Sequence, residues 1–180
     1  TWGCSDTLSG CKTGYTGGSQ TYTTSTKTAT IASYTISDNA GNTTTCAQRT
    51  ANVYVDKSTP TCTNSGDSTT WTTGNRTISW GGTSYSGIAS GSGSKTFSTS
   101  TKTATISSYT IKSNAGVSVT CAQRTANVYV DKTAPTCTIT GLPTSWTTSA
   151  TLTVSGTDNE SGISGYSWDG TNYSATKTKS

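Results

Sequence analysis

Apolar and polar positions alternate along most of the chain with a period of two. Thr101, Thr103 and Thr105 alternate with Lys102, Ala104 and Ile106, and Val128 and Val130 flank Tyr129. Thr, Val, Ile and Tyr fit a pleated, half-buried surface. Clusters of Gly, Asn, Asp and Ser interrupt these runs roughly every 8 to 15 residues, and no stretch shows the helical period of 3.6. Between residues 57 and 131 the pattern predicts strands near 61–64, 75–80, 95–98, 101–106, 108–112 and 117–130. That many short strands in so short a segment, with turn signals between them, reads as an all-β chain forming a small β-sandwich.

The pattern also repeats. CAQRTANVYVDK runs from Cys46 to Lys57 and again, letter for letter, from Cys121 to Lys132. TSTKTATI at Thr24–Ile31 returns at Thr99–Ile106, and SYTI at Ser33–Ile36 returns at Ser108–Ile111, with the same offset. Cys62 maps onto Cys137 and Trp71 onto Trp146, and the stretch Trp71–Ile88 aligns loosely, without a gap, with Trp146–Ile163. The 180 residues therefore hold about 2.4 copies of a 75-residue unit. Asp56–Pro60 and Asp131–Pro135 are the natural joints, because Pro cannot continue a central strand. Residues 1–56 form a first repeat lacking its beginning, 57–131 a complete second repeat, and 132–180 a third lacking its end. These ragged ends, and Thr rather than Met at position 1, are expected of a processed product or a window from a longer array.

Composition narrows the function. Thr (45) and Ser (29) make up 74 of the 180 residues, whereas Leu, Ile, Val and Phe together number 19. So thin an apolar set borders on that of a disordered chain, but the net charge of +4 is too small to hold the chain open. The absence of His removes the commonest general base and metal ligand. Ser and Thr abound with no imidazole to activate them, so the chain is not expected to be an enzyme. The 12 Lys and Arg are scattered rather than clustered, which argues against a nucleic-acid partner. No apolar run approaches the length of a membrane-spanning helix. No cofactor and no metal is expected.

Several short motifs carry a resemblance. Asp-x-x-Ser-Gly-Ile occurs at Asp158–Ile163, and the same pattern ending in Cys at Asp6–Cys11. Ser37–Asn42 reads SDNAGN, Asp131–Thr136 reads DKTAPT and Tyr166–Gly170 reads YSWDG. Together they resemble the immunoglobulin-like repeats of large bacterial surface proteins, over essentially the whole chain. The resemblance implies tandem immunoglobulin-like β-sandwich repeats of about 75 residues each, the length of the repeating unit. It further implies an extracellular, cell-surface or secreted stalk or adhesin. The second repeat departs from the pattern, with Ser84 and Tyr85 where an acid is expected and Lys112-Ser113-Asn114 in place of Ser-Asp-Asn.

Six Cys without a CxxC pair or a His suit disulfides in an oxidising compartment. Cys4 and Cys11 flank a short loop, and both counterparts are missing from the other copies, where Gly and Ile stand instead; joint loss pairs them. The other four form a ladder. Pairing 46–62 with 121–137 satisfies every thiol, but requires the long final strand of one unit to fold back on the first strand of the next. Pairing Cys62 with Cys121 staples the second repeat, since the first and last strands of an immunoglobulin-like sandwich can run parallel. That option is favoured, and it leaves Cys46 and Cys137 unpaired or available between chains.

Loop acids (Asp6, Asp38, Asp56, Asp131, Asp158, Glu160 and Asp169) could bind calcium, with Asp158 and Glu160 the best placed, but Asp also caps turns. Trp2, Trp80, Trp168 and Tyr166 could stack on sugars, whereas Trp71 and Trp146 share a repeat position and are expected in the core. The expected function is a disulfide-stapled stalk, spacer or fibre on a bacterial surface, whose partners are neighbouring repeats or copies of itself. The alternatives are an adhesin that binds surface glycans through loop aromatics, and a subunit of a head-to-tail polymer.

Overall fold

A computed structural model describes residues 1–15 and 17–171, and the backbone of 178–179. It is all-β: among the described residues there is no helix. The strands are β1 (Trp2–Gly3), β2 (Gly17–Gly18), β3 (Thr26–Ile31), β4 (Tyr34–Ser37), β5 (Thr43–Cys46), β6 (Arg49–Val55), β7 (Thr61–Ser65), β8 (Arg76–Thr83) and β9 (Ile88–Ser90). They continue with β10 (Gly93–Phe97), β11 (Thr101–Ile106), β12 (Tyr109–Ser113), β13 (Ser118–Cys121), β14 (Arg124–Val130), β15 (Thr136–Thr140), β16 (Leu152–Thr157) and β17 (Thr178–Lys179).

The strands form several small sheets, as in a β-sandwich: β10-β8-β7, β13-β12-β9 and β15-β16-β17, and the pairs β1-β2, β3-β6, β4-β5 and β11-β14. The same letters adopt the same pairing at both places they occur. Ala29 faces Ala51 in β3-β6, and Ala104 faces Ala126 in β11-β14. The run expected as one strand over 117–130 is two. It breaks at Ala122-Gln123, after which β13 pairs with β12 while β14 pairs with β11. A period of two cannot register such a break, because the alternation resumes on the other side. The β9 strand was not expected; its three residues lie among Ser and Gly, where the alternation has no length to show.

The chain divides into two units. The first comprises Thr1–Thr63, Gly81–Gly91 and Thr110–Cys121, and the second Asn64–Trp80, Ser92–Tyr109 and Ala122–Ser180. In the second, Ile78, Phe97, Ile106, Ala126, Val128 and Val130 form the buried core, with Trp80 and Ala104 packed against it. Trp80 lies opposite Gly93 in the β8-β10 ladder, and a Cβ at Gly93 would stand 2.8 Å from the indole. The ring lies where a side chain would otherwise be. Trp2 covers Gly18 in the same way in the first unit. These two indoles therefore cover thin strands.

Burial of identical letters differs between copies. RTANVYV in β14 buries Ala126, Val128 and Val130, whereas in β6 Ala51, Val53 and Val55 are only half-buried. The core that covers β14 includes Ile78 of β8, and the first copy has only the two-residue β1 where β8 would lie. The third copy shows a shift. Gly66 backs onto the Thr77 carbonyl and Gly141 onto the Thr151 carbonyl, so Ile78 corresponds to Leu152, one residue off the gapless alignment. Trp146 is fully exposed, contrary to the core position expected of it. Its counterpart Trp71 packs on Tyr129 of β14 with ring centroids 4.8 Å apart; the described part of the third copy has no equivalent of β14.

Candidate functional site

Two features carry the chemistry of the chain: the cysteines, and a carboxylate that recurs at each joint. Cys4 is bonded to Cys11, with Cα atoms 6.1 Å apart. Within that loop Asp6 Oδ1 accepts the backbone N–H groups of Leu8 (3.1 Å), Ser9 (2.8 Å) and Gly10 (2.9 Å). These bonds, that from Gly10 foremost, hold its carboxyl below the usual range. Cys62 on β7 is bonded to Cys121 at the end of β13, with Cα atoms 5.9 Å apart, and Cys121 is buried. Cys46 on β5 is half-buried and Cys137 on β15 is exposed, and both are free thiols. Tyr34 lies directly opposite Cys46 in the β4-β5 ladder, and its phenol is pushed up, chiefly by its hydrogen bond with Cys46.

The joint begins with a bulge. In β3-β6, Val55 pairs with Thr26 but Asn52 pairs with Thr28, and Tyr54 in the extra length of chain sits at φ 54°. Tyr129 repeats this at φ 48° in β11-β14. Left-handed backbone costs an L-residue about 1–2 kcal/mol, so the recurrence of a non-glycine here indicates a constraint from the surrounding fold. Beyond each bulge stands a buried aspartate, Asp56 or Asp131.

Asp56 accepts from the Ser58 backbone N–H (2.9 Å) and hydroxyl, the Ser25 hydroxyl (3.3 Å), the Ser84 hydroxyl (2.9 Å) and the Ser86 N–H (2.9 Å). Asp131 accepts from the Thr133 N–H (2.9 Å), the Ser100 hydroxyl (3.5 Å), the Ser161 N–H (3.3 Å) and the Ser161 hydroxyl (2.6 Å). Ser25 and Ser100 also accept the N–H of Lys57 and Lys132. Bonds from Ser58, then Ser86, hold the Asp56 carboxyl far below the usual range, and Ser161 leads the same effect at Asp131. Donors to the charged form lower a carboxyl in this way. Each aspartate thus ties the end of one repeat to a loop of the next, within a single unit. In the sequence both read as turn formers or calcium-binding loop acids, and nothing marks Ser25 and Ser100 as their partners except recurrence in TSTKTATI.

The remaining loop acids mostly cap turns. Asp38 binds the N–H and side chain of Asn42 (2.8 and 2.7 Å), which lowers its carboxyl, and Asp169 accepts the Thr171 N–H at 2.9 Å. Oxygens of Asp131, Asp158 and Glu160 lie within 4.8 Å of one another and are the described residues best placed to hold a cation. Asp158 Oδ1 already accepts the N–H groups of Glu160, Ser161 and Gly162. The second repeat, which carries Thr83, Ser84 and Tyr85 in the corresponding loop and no acid there, cannot form this cluster. Tyr166 and Trp168 line a groove of about 430 Å³ together with Cys137, Ile139, Val154 and Ile163. No helix among the described residues is long and apolar enough to cross a membrane.

Fold and cysteines together define a disulfide-bonded all-β protein. No family model matches the chain, and no curated protein or solved structure matches it significantly.

Proposed function

We propose that the chain is a segment of tandem immunoglobulin-like β-sandwich repeats of the bacterial surface type, working as a disulfide-stapled stalk, spacer or fibre outside the cell. The observation that carries this is the recurrence of one joint. Asp56 with Ser25, Ser84 and Ser86, and Asp131 with Ser100 and Ser161, couple successive copies through the same geometry at equivalent places in the repeat. A joint built twice around the same aspartate and the equivalent serines, Ser25 and Ser100, Ser86 and Ser161, serves repetition, whereas a catalytic or ligand site needs to be built once. Disulfides and dense hydroxyls suit an oxidising exterior. The partners of such a segment are neighbouring repeats or copies of itself, and its role is structural rather than enzymatic. A glycan array run on the chain and on Trp168→Ala tests this against the adhesin reading. A spacer gives no binding that depends on Trp168; reproducible binding lost in Trp168→Ala would replace the spacer with an adhesin.

A further inference from the structure

Within the second repeat, residues 67–72 near its start lie alongside β14 at its end. Thr72 bridges Val130 in parallel. The Ser68 N–H donates to the Asn127 carbonyl (3.1 Å), the Thr72 N–H to the Tyr129 carbonyl (3.1 Å), and the Asp131 N–H to the Thr72 carbonyl (3.0 Å). In a stalk, tension reaches the repeat from the side of Thr61 and leaves it past Asp131. Two parallel segments pulled in this way, one from its start and the other from its end, slide along each other. The bonds between them are then loaded together, whereas bonds that are peeled apart fail one at a time.

Side chains fasten the same two segments. Asp67 accepts two bonds from the Arg124 guanidinium (3.0 and 2.7 Å) and one from the Asn127 N–H (2.9 Å). The Arg124 and Asp67 side chains are only 25% and 32% exposed, and a two-pronged pair fixes direction as well as distance. Trp71 packs on Tyr129, which also has Lys102 over its ring. All of these residues belong to the second unit, whereas Cys62 and Cys121 belong to the first.

We infer that the contact of residues 67–72 with β14 is a shear clamp held in reserve behind the disulfide. With Cys62 joined to Cys121, tension crosses from one cysteine to the other and runs on along β14, so residues 63–120 carry none of it. With the bond reduced, tension runs through residues 63–72, and the clamp sets how long the repeat holds. Reduction breaks the S–S bond and leaves two thiols; the two electrons and two protons come from a dithiol, which closes to its own disulfide. The inference rests on the stalk reading and adds to it a second level of resistance, gated by the redox state of one bond.

The test holds the full chain by its ends at constant force, oxidised and then reduced with dithiothreitol, and times the release of the loop. Forced unfolding reports the rate of opening rather than equilibrium stability. In the reduced chain Asp67→Asn should shorten the dwell time about threefold to tenfold, the value of one or two hydrogen bonds. Arg124→Gln, which breaks the same pair from the other side, should do likewise. Ile78→Val changes the fully buried core outside the contact, so it should lower the melting temperature and leave the dwell time unchanged. Dwell times unaltered by Asp67→Asn and Arg124→Gln would overturn the clamp, and so would equal shortening by Ile78→Val. The oxidised arm separates the two claims. Release of the loop from the oxidised chain would sink the stapled stalk itself, whereas an oxidised chain that holds, with reduced variants no faster than the parent, would sink only the clamp.

Discussion

The Trp71 ring lies 4.8 Å from that of Tyr129, and Tyr129 holds it there from a left-handed backbone at φ 48°. The same tyrosine has Lys102 Nζ 5.8 Å from its ring centroid. An L-residue in that conformation is held by what packs on it, which turns the usual ranking of small substitutions around. Glycine in a strand is ordinarily worse than alanine. At position 129 the order should invert: Tyr129→Gly should be more stable than Tyr129→Ala by about 1 kcal/mol, although both lose the aromatic contact. Urea titration of the two variants checks this.

Asp56 and Asp131 each accept several donors, and an amide cannot replace them, because both carboxylate oxygens accept a backbone N–H and the NH₂ would face one of these in either orientation. Asp131→Asn should lower the melting temperature by several degrees, and Asp56→Asn should do the same. Ser161→Ala, which removes the shortest bond to Asp131, should reproduce most of the Asp131→Asn loss. Scanning calorimetry of the three variants measures it.

Acid should weaken the fold, and mild changes near neutrality should not. Asp6, Asp38, Asp56, Asp67 and Asp131 are all held below the usual carboxylate range. At Asp67 the leading cause is Arg124, which reaches it through two bonds of 3.0 and 2.7 Å. A carboxyl depressed in the folded state contributes stability above its unfolded value near 4, and this is lost as pH falls through the folded value. The chain has no His to titrate near neutrality. The melting temperature should therefore be flat from about pH 5 to 7.5 and fall below about pH 4. A decline beginning near pH 6 would contradict this.

The two staples close loops of very different length, with separations of 7 and 59 residues. In chain-entropy terms the longer is worth about 4 kcal/mol and the shorter about 2 kcal/mol. Cys62→Ser should therefore cost roughly twice what Cys4→Ser costs in guanidinium titration. With so few large apolar side chains, a repeat of this size has little else to replace the longer staple.

How much of this is legible in the sequence depends on distance along the chain. The strand type of TKTATI and VYV is legible, because alternation of Thr with Ala and Ile is a local signal. The division of 117–130 into β13 and β14 is not, because a change of partner leaves the alternation intact. Trp146 reads as core from its repeat position. Yet burial at that position is decided by Tyr129, which is remote from Trp71 in sequence and has no described counterpart in the third copy. The Asp–Ser joints are hidden for the same reason. Ser84 lies 28 residues from Asp56 in sequence, and among so many hydroxyls nothing local marks it as the partner.

The proposed stalk depends on the Cys62–Cys121 staple, which closes the second repeat against extension. Single-molecule stretching of the intact chain, oxidised and then reduced, tests it most directly. With Cys62 bonded to Cys121, the 59-residue loop stays closed and the oxidised chain should reach full extension about 200 Å short of the reduced chain. Equal extension in both states would mean that the 59-residue loop is not closed by the staple, and would contradict the proposed stapled stalk.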